Sequence, residues 1–381
     1  MTESTSVAVV TTTRADFHIL RPLIEDLDKD DQFDLDLIVS GTHYSPKHGR
    51  TVDLIRSVID DFTELDAGFR ASDVVELVRS CAALGSRLAE HLRTRPTDVL
   101  LLLGDRFELL TIAQTSLLMG IPIAHLYGGE ITRGAIDDSV RNALTQVASV
   151  HLVAAPAFAE RVVQLGADPG SVHVVGSLGV EAALRSRSPD RKDALALIGF
   201  SDIPYVVLAL HPETRGRETV ENLMRAATAA LDCFPDLGVV VTSPNTDPGG
   251  DELSALLQDW VGRRVQGFFV PSLGVEFPTV VAHAEAIIGN SSSGIVEAPA
   301  LGTATINIGD RQLGRPFSSS VLHVESAVDA VQEALSHLLN VGVAFSDLAY
   351  GPAGSVRNVA EVLRSFNRDS GFADERGVAA I

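Results

Sequence analysis

Carboxylates, histidines and arginines recur in this chain just beyond short apolar runs, where such side chains can move protons and hold anions. Asp105 follows the run Val99–Leu103, and Arg106 and Glu108 come directly after it. His125, Tyr127 and Glu130 follow the next run, with Asp137 and Arg141 shortly beyond. A carboxylate at the tip of a buried strand is costly unless it is solvated, paired or used. Asp105, Glu130 and Asp137 converging on one cleft would suit general acid–base work. The alternative is local. Asp105 with Glu108 fits the spacing of a helix capping box, and Asp137 fits a helix cap. One His with one carboxylate falls short of a metal site, because no second strong ligand stands at helical spacing.

A second group of motifs suits anions. In Thr11–Asp16 (TTTRAD), Arg14 stands at a strand end and Thr13 is placed to cap the next helix. The glycine fingerprint of dinucleotide sites is missing there, which disfavours NAD. His211–Arg215 (HPETR) suits a diphosphate, or else a surface turn set by Pro212. Turn chemistry alone accounts for Ser243–Gly250, so Asn245 and Asp247 have no independent support from composition. Asn290, Ser291, Ser292 and Ser293 open a helix, where backbone N–H groups and hydroxyls make an anion site; a serine cap is the plainer alternative. No capping box explains Glu297, one turn on, and a carboxylate there suits ribose hydroxyls. Arg311, with Arg315, adds positive charge to a glycine-flanked loop.

The elements that must position these residues alternate between strand and helix. Strands are expected at Ser6–Thr12, Leu35–Ser40, Val99–Leu103, Ile121–His125, Val150–Ala154 and Val172–Val175. Helical patterns such as Phe17–Leu27, Asp73–Leu92 and Phe107–Leu118 lie between them. The pattern restarts with strands at Tyr205–Leu210, Gly238–Thr242, Phe268–Val270, Ala286–Ile288 and Ala304–Ile306, with a helix over Glu218–Cys233. This spacing predicts two parallel, doubly wound α/β sheets, with ligands beyond the strand carboxyl ends. The boundary is expected in the polar stretch around Arg185–Lys192. The domains read as 1–182 (sugar and catalytic side), 193–350 (nucleotide side), and a helix and tail over 351–381 that packs back on the first domain.

Composition sets the outer bounds. A chain of 381 residues, 45% apolar and 21% charged, exceeds one ordinary core but stays within the globular range. A formal net charge of −20 argues against general nucleic-acid binding, which needs phosphates neutralised by Lys and Arg. No apolar stretch approaches a membrane span, and no signal-peptide pattern precedes the first strand. A cytoplasmic location follows as the expectation. Cys81 and Cys233 read as two buried thiols rather than a disulfide.

In order along the chain, TRADF, SGTHYSPKHG, GDRFE, GGEITRGAIDDSVR, HPET, PNTDPGG, AHAEAIIGNSSSGIVEAPALGT and INIGDRQLGR resemble the hydrolysing UDP-N-acetylglucosamine 2-epimerases, in particular the sialic-acid-pathway branch. The similarity runs from about Val7 to Val324. It implies the GT-B fold, two Rossmann-like domains with the ligand between them. It also implies loss of UDP with proton removal at C2, a glycal intermediate, and water addition to give N-acetylmannosamine. Asp105 and Asp137 match carboxylates assigned to this acid–base work, with Glu130, Tyr127 and His211 as further catalytic candidates. Ser291 and Ser292 would contact the diphosphate and Glu297 the ribose. Arg14, Arg106, His125, His211, Asn245, Asp247, Asn290, Ser293 and Arg311 would complete the ligand contacts. No metal or cofactor is implied, and a homodimer or homotetramer is. Tyr127 stands where many members carry a carboxylate. A phenol, with a reference pKa of about 10, donates a proton more readily than it takes one at neutral pH. The residues alone leave room for another nucleotide-sugar hydrolase or glycosyltransferase on this scaffold, or for a binding protein without catalysis.

Overall fold

Runs of aliphatic residues dictate the strands, and burial on both faces dictates a parallel arrangement. The computed structural model describes residues 4–46, 49–69, 73–131, 136–212, 219–244 and 249–365. The chain divides into two compact units, Met1–Ala182 with Ala353–Ile381, and Ala183–Pro352. In the first unit the strands are β1 (Thr5–Thr11), β2 (Phe33–Val39), β3 (Thr63–Glu64), β4 (Val99–Leu103), β5 (Ile123–Leu126), β6 (Val150–Val153) and β7 (Val172–Val174). They form one sheet in the order β3-β2-β1-β4-β5-β6-β7. In the second unit β8 (Tyr205–Ala209), β9 (Gly238–Thr242), β10 (Gly267–Val270), β11 (Ala286–Gly289), β12 (Ala304–Ile308) and β13 (Val321–Val324) run in the order β10-β9-β8-β11-β12-β13. Every strand pairing is parallel.

Strand order reverses once in each sheet, and these switch points decide where ligands can enter. In the first unit β1 lies between β2 and β4, with Val7–Val9 opposite Val99–Leu101. In the second, β8 lies between β9 and β11, with Val206–Ala209 opposite Ala286–Gly289. Both units are Rossmann-like domains with helices on each face of the sheet. The helix Ser355–Arg364 belongs to the first unit, where Val356, Val359 and Leu363 join the core formed with Leu20 and Leu23. Three side-chain contacts fix its start: Gly354 N–H donates to Glu181 (2.6 Å), Ser355 to the Ser177 carbonyl (3.1 Å), and Asn358 to the Val175 carbonyl (3.1 Å).

Some expectations need correction. β3 and β13 were not foreseen: β3 has two residues, and β13 has no buried residue, so neither carries a buried apolar run. The first helix starts at Arg14, three residues before the periodic apolar residues begin, because Thr13 and Asp16 form a capping box. The cysteines are free, but neither is buried: Cys233 is exposed and Cys81 half-buried. Among the described residues no helix is long and apolar enough to cross a membrane.

Candidate active site

The end of β4 and the helix Asp137–Val147 meet through Arg141, which joins the predicted Asp105 to Asp138 and to the Glu130 main chain. Arg141 is 2% exposed. One guanidinium nitrogen donates to the Glu130 carbonyl (2.6 Å) and to Asp138 Oδ1 (2.6 Å). The other donates to Asp105 Oδ2. A planar guanidinium holds these three acceptors in fixed directions, whereas a lysine ammonium offers its donors from a flexible stem without that geometry. Asp137 lies one helical turn before Arg141. Burial raises the Asp137 carboxyl above its ordinary value, and the neighbouring Asp105 charge adds to the rise. Two carboxylates whose charges interact thus have different surroundings: Asp105 is paired with an arginine, whereas burial disfavours the ionised form of Asp137. That asymmetry is what an acid–base pair requires.

The local capping readings do not hold here. Phe107 is the N-cap of the Glu108–Leu118 helix and no side chain caps it. Glu108 is fully buried and pairs with Arg106 (2.7 Å), while Asp105 turns to Arg141. Asp137 is the first residue of its helix, and Ile136 is the cap. Glu130 joins the cluster through its main-chain carbonyl. His125 is fully buried, and its Nε2–H donates to the Gly104 carbonyl (2.7 Å), so it steadies the turn that carries Asp105.

Tyr127 has a left-handed backbone (φ 67°), uncommon for a residue with a side chain. Its hydroxyl lies 3.1 Å from Ser177 Oγ and accepts from Gly179 N–H at 2.9 Å. The phenol therefore holds the start of the Leu178–Ser186 helix.

In the second unit the switch point is bridged by Asn290. Its side chain is fully buried; it accepts from His211 N–H (2.7 Å) and donates to the His211 carbonyl (2.9 Å). This ties the end of β11 to the end of β8. The backbone must pass close there: a Cβ on Gly289, at φ 136°, would stand 2.1 Å from the Ala209 carbonyl oxygen. Arg311 (3.0 Å) and Gln312 (2.8 Å) both donate to the Asn290 carbonyl, drawing the β12 loop to the same place. Ser291 caps the short Ser292–Val296 helix, accepting from Ser293 N–H at 3.4 Å. Ser291, Ser292, Ser293 and Glu297 are half-exposed around it. Arg14 is exposed beyond β1. Asn245 and Asp247, with the Glu213–Arg215 part of the fourth motif, lie outside the described residues.

A family model described as UDP-N-acetylglucosamine 2-epimerase matches residues 25–375. The chain belongs to this family. It is 29% identical to the polysialic acid biosynthesis protein P7 of Escherichia coli, over 87% of the chain and 85% of that protein. Identity is also 29% with the GDP/UDP-N,N'-diacetylbacillosamine 2-epimerase (hydrolyzing) of Campylobacter jejuni, over 87% of each. The UDP-N,N'-diacetylbacillosamine 2-epimerase (hydrolyzing) of Legionella pneumophila is 28% identical, over 94% of the chain and 95% of that protein. Among solved structures, a putative UDP-N-acetylglucosamine 2-epimerase from Listeria monocytogenes superposes with a TM-score of 0.79 at 16% identity, covering 95% and 96% of the two chains. The Neisseria meningitidis enzyme bound to UDP-GlcNAc gives 0.74 at 16%, covering 94% and 99%. The fold is the GT-B type of these epimerases.

Two predictions arise for this epimerase-family chain. Tyr127→Phe deletes a hydroxyl that binds a helix start, so it should cost about 1–2 kcal/mol of stability. Turnover should change less than about threefold, since the Phe keeps the packing; denaturant midpoints and kcat check both. A loss of activity as large as that from removing a general acid, about a hundredfold or more, would put the phenol in the chemistry instead.

The second prediction concerns pH. Burial lowers both His43 and His125 from 6.5 to about 4, with Asp16 opposing the shift at His43 and the Gly104 carbonyl opposing it at His125. The unfolded chain therefore binds more protons than the folded one between these values, and stability rises with pH across that window. It is fully present above 6.5 and lost as pH falls toward 4, by up to about 3 kcal/mol per histidine. The raised Asp137 contributes with the opposite sign. Thermal midpoints should fall steadily over that range; a flat or rising midpoint contradicts the buried neutral histidines.

Proposed function

We propose that the chain is a hydrolysing 2-epimerase that converts UDP-N-acetylglucosamine, or a close relative, to the free 2-epimeric sugar and UDP. The observation that carries this reading is the pairing of Asp105 with Arg141 near Asp137, whose carboxyl is raised by burial and by the Asp105 charge, in a chain of this family. Asp137, as the carboxylate, takes the proton from C2 of the sugar, and its raised proton affinity suits it to that task. The C2–H bond breaks as the C1–O bond to UDP breaks, and a C1–C2 double bond forms. A second acid, Asp105 or Glu130, then protonates C2 on the opposite face while water adds its oxygen to C1; the proton that water loses restores that acid, and Asp137 passes its captured proton to solvent. Arg141 keeps Asp105 oriented through both steps. Arg14, His211 and Arg311, with the Ser291–Ser293 segment, receive the departing diphosphate, and charge stabilisation of that kind is commonly the largest part of catalysis. Glu297 holds the ribose, and Asn245 and Asp247 make further ligand contacts. The enzyme works in the cytoplasm as a homodimer or homotetramer.

A second substrate is favoured by the names of two relatives, which act on N,N'-diacetylbacillosamine carried on a nucleotide. A panel of UDP- and GDP-linked amino sugars, with products identified, decides between them. UDP-N-acetylglucosamine giving UDP and N-acetylmannosamine supports the first reading. Turnover confined to diacetamido sugars supports the second. Transfer to an acceptor with C2 unchanged, or binding with no turnover, overturns both.

A further inference from the structure

Away from the carboxylate cluster, the ends of β1 and β2 carry a buried polar chain that the proposed reaction leaves unused. His43 is fully buried, edge-on to Phe17. Its Nε2 lies 3.0 Å from Thr11 Oγ1, and its Nδ1 lies 2.7 Å from Thr51 Oγ1. The Thr11 hydroxyl has one proton, and Asp16 Oδ1, 2.8 Å away, accepts it. A hydroxyl that has donated to a carboxylate can only accept from the imidazole. Nε2 therefore carries the ring proton, and Nδ1 accepts from Thr51. Hydrogen bonds run one way along four residues, from Thr51 to His43, to Thr11, to Asp16.

Asp16 spends its remaining lone pairs on the segment that carries Arg14. Its two oxygens accept from Thr12 N–H (2.9 Å), the Thr12 hydroxyl (2.9 Å) and Thr13 N–H (2.8 Å). The loop after β2 is pressed against the same segment: Thr42 N–H donates to the Thr12 carbonyl at 2.8 Å. A Cβ on Gly41, at φ 61°, would stand 2.3 Å from that carbonyl oxygen. Burial disfavours the charged ring and lowers its pKa to about 4, and this leaves Nδ1 as the acceptor from Thr51.

We infer that His43, as a single neutral tautomer with its proton on Nε2, is a positioning residue that locks the loop after β2 onto the loop after β1 and so sets Arg14 for an anionic ligand. The inference rests on the reading that Arg14 contacts the leaving diphosphate.

Two measurements on the full chain test it. In ¹⁵N-histidine NMR, the signal lost in His43→Gln should show the Nε2–H tautomer and should not titrate between about pH 5.5 and 8. An Nδ1–H tautomer, or a titrating signal, overturns the inference. UDP affinity is then read by calorimetry. His43→Leu and Arg14→Ala should each weaken binding about tenfold, and the double variant should be no weaker than Arg14→Ala alone. His43→Gln keeps a donor toward Thr11 and should stay within about threefold of the unaltered protein. If His43→Leu does not fold, Thr51→Val takes its place in the cycle, with the same absence of additivity expected. UDP binding with additive penalties overturns the inference alone. UDP failing to bind the unaltered protein overturns the functional reading, and this role of Arg14 with it.

Discussion

Asp137→Asn should lower kcat by about 10²–10⁴, the usual worth of a general acid–base group, while leaving the fold intact. The two effects separate because of where Asp137 sits. Burial and the Asp105 charge both disfavour its ionised form, so removing that charge relieves the folded state rather than straining it. The thermal midpoint at neutral pH should stay level or rise. In the unaltered enzyme the deprotonated group starts the reaction, so kcat/KM should fall as pH drops through the raised value of Asp137. That acidic limb should lie above the ordinary carboxylate range and disappear in Asp137→Asn. A variant that loses activity and stability together would instead mark Asp137 as a structural residue.

Arg141→Met should produce the other large effect, and here stability and activity fall together. The change fills the same volume but leaves Asp105, Asp138 and the Glu130 carbonyl without their shared donor. Breaking a fully buried ion pair by deleting one partner costs about 3–5 kcal/mol. The Asp105 and Asp138 side chains are 27% and 26% exposed, so water takes part of the load. Roughly 2–4 kcal/mol is the expected loss by chemical denaturation. Turnover should drop at least about a hundredfold, because a carboxylate displaced by even 1 Å is no longer oriented. The sign of a third effect is fixed as well: Arg141 lowers the Asp137 value, so its removal pushes the acidic limb of any residual activity to higher pH. Arg141→Lys restores charge without the fork and should recover only part of the loss.

The strands that position the site were legible because central parallel strands are apolar on both faces, as Val99–Leu103 illustrates. β13 escaped because an edge strand needs no such run. Candidate residues were sought where a polar group follows a buried strand, and most of those within the described residues lie at such ends. Their partners were harder to read. Asp105 and Glu108 have the spacing of a capping box, yet Asp105 binds an arginine 36 residues away. Asn290 looked like a ligand contact, yet its amide is spent on the His211 backbone, 79 residues away. Local spacing carries no information about such pairings. Arg141 itself had a readable signal, three and four residues after two aspartates on one helix face. His43 and Gln312 had none beyond their place in longer motifs.

Proton exchange at C2 is the core of the account, and turnover in D₂O tests it most directly. With the nucleotide sugar that the panel identifies, NMR of the released sugar should show one deuterium at C2, inverted configuration there, and a stoichiometric amount of UDP. A sugar that keeps its C2 proton and its configuration while UDP is released would contradict the account, and would make the chain a simple nucleotide-sugar hydrolase.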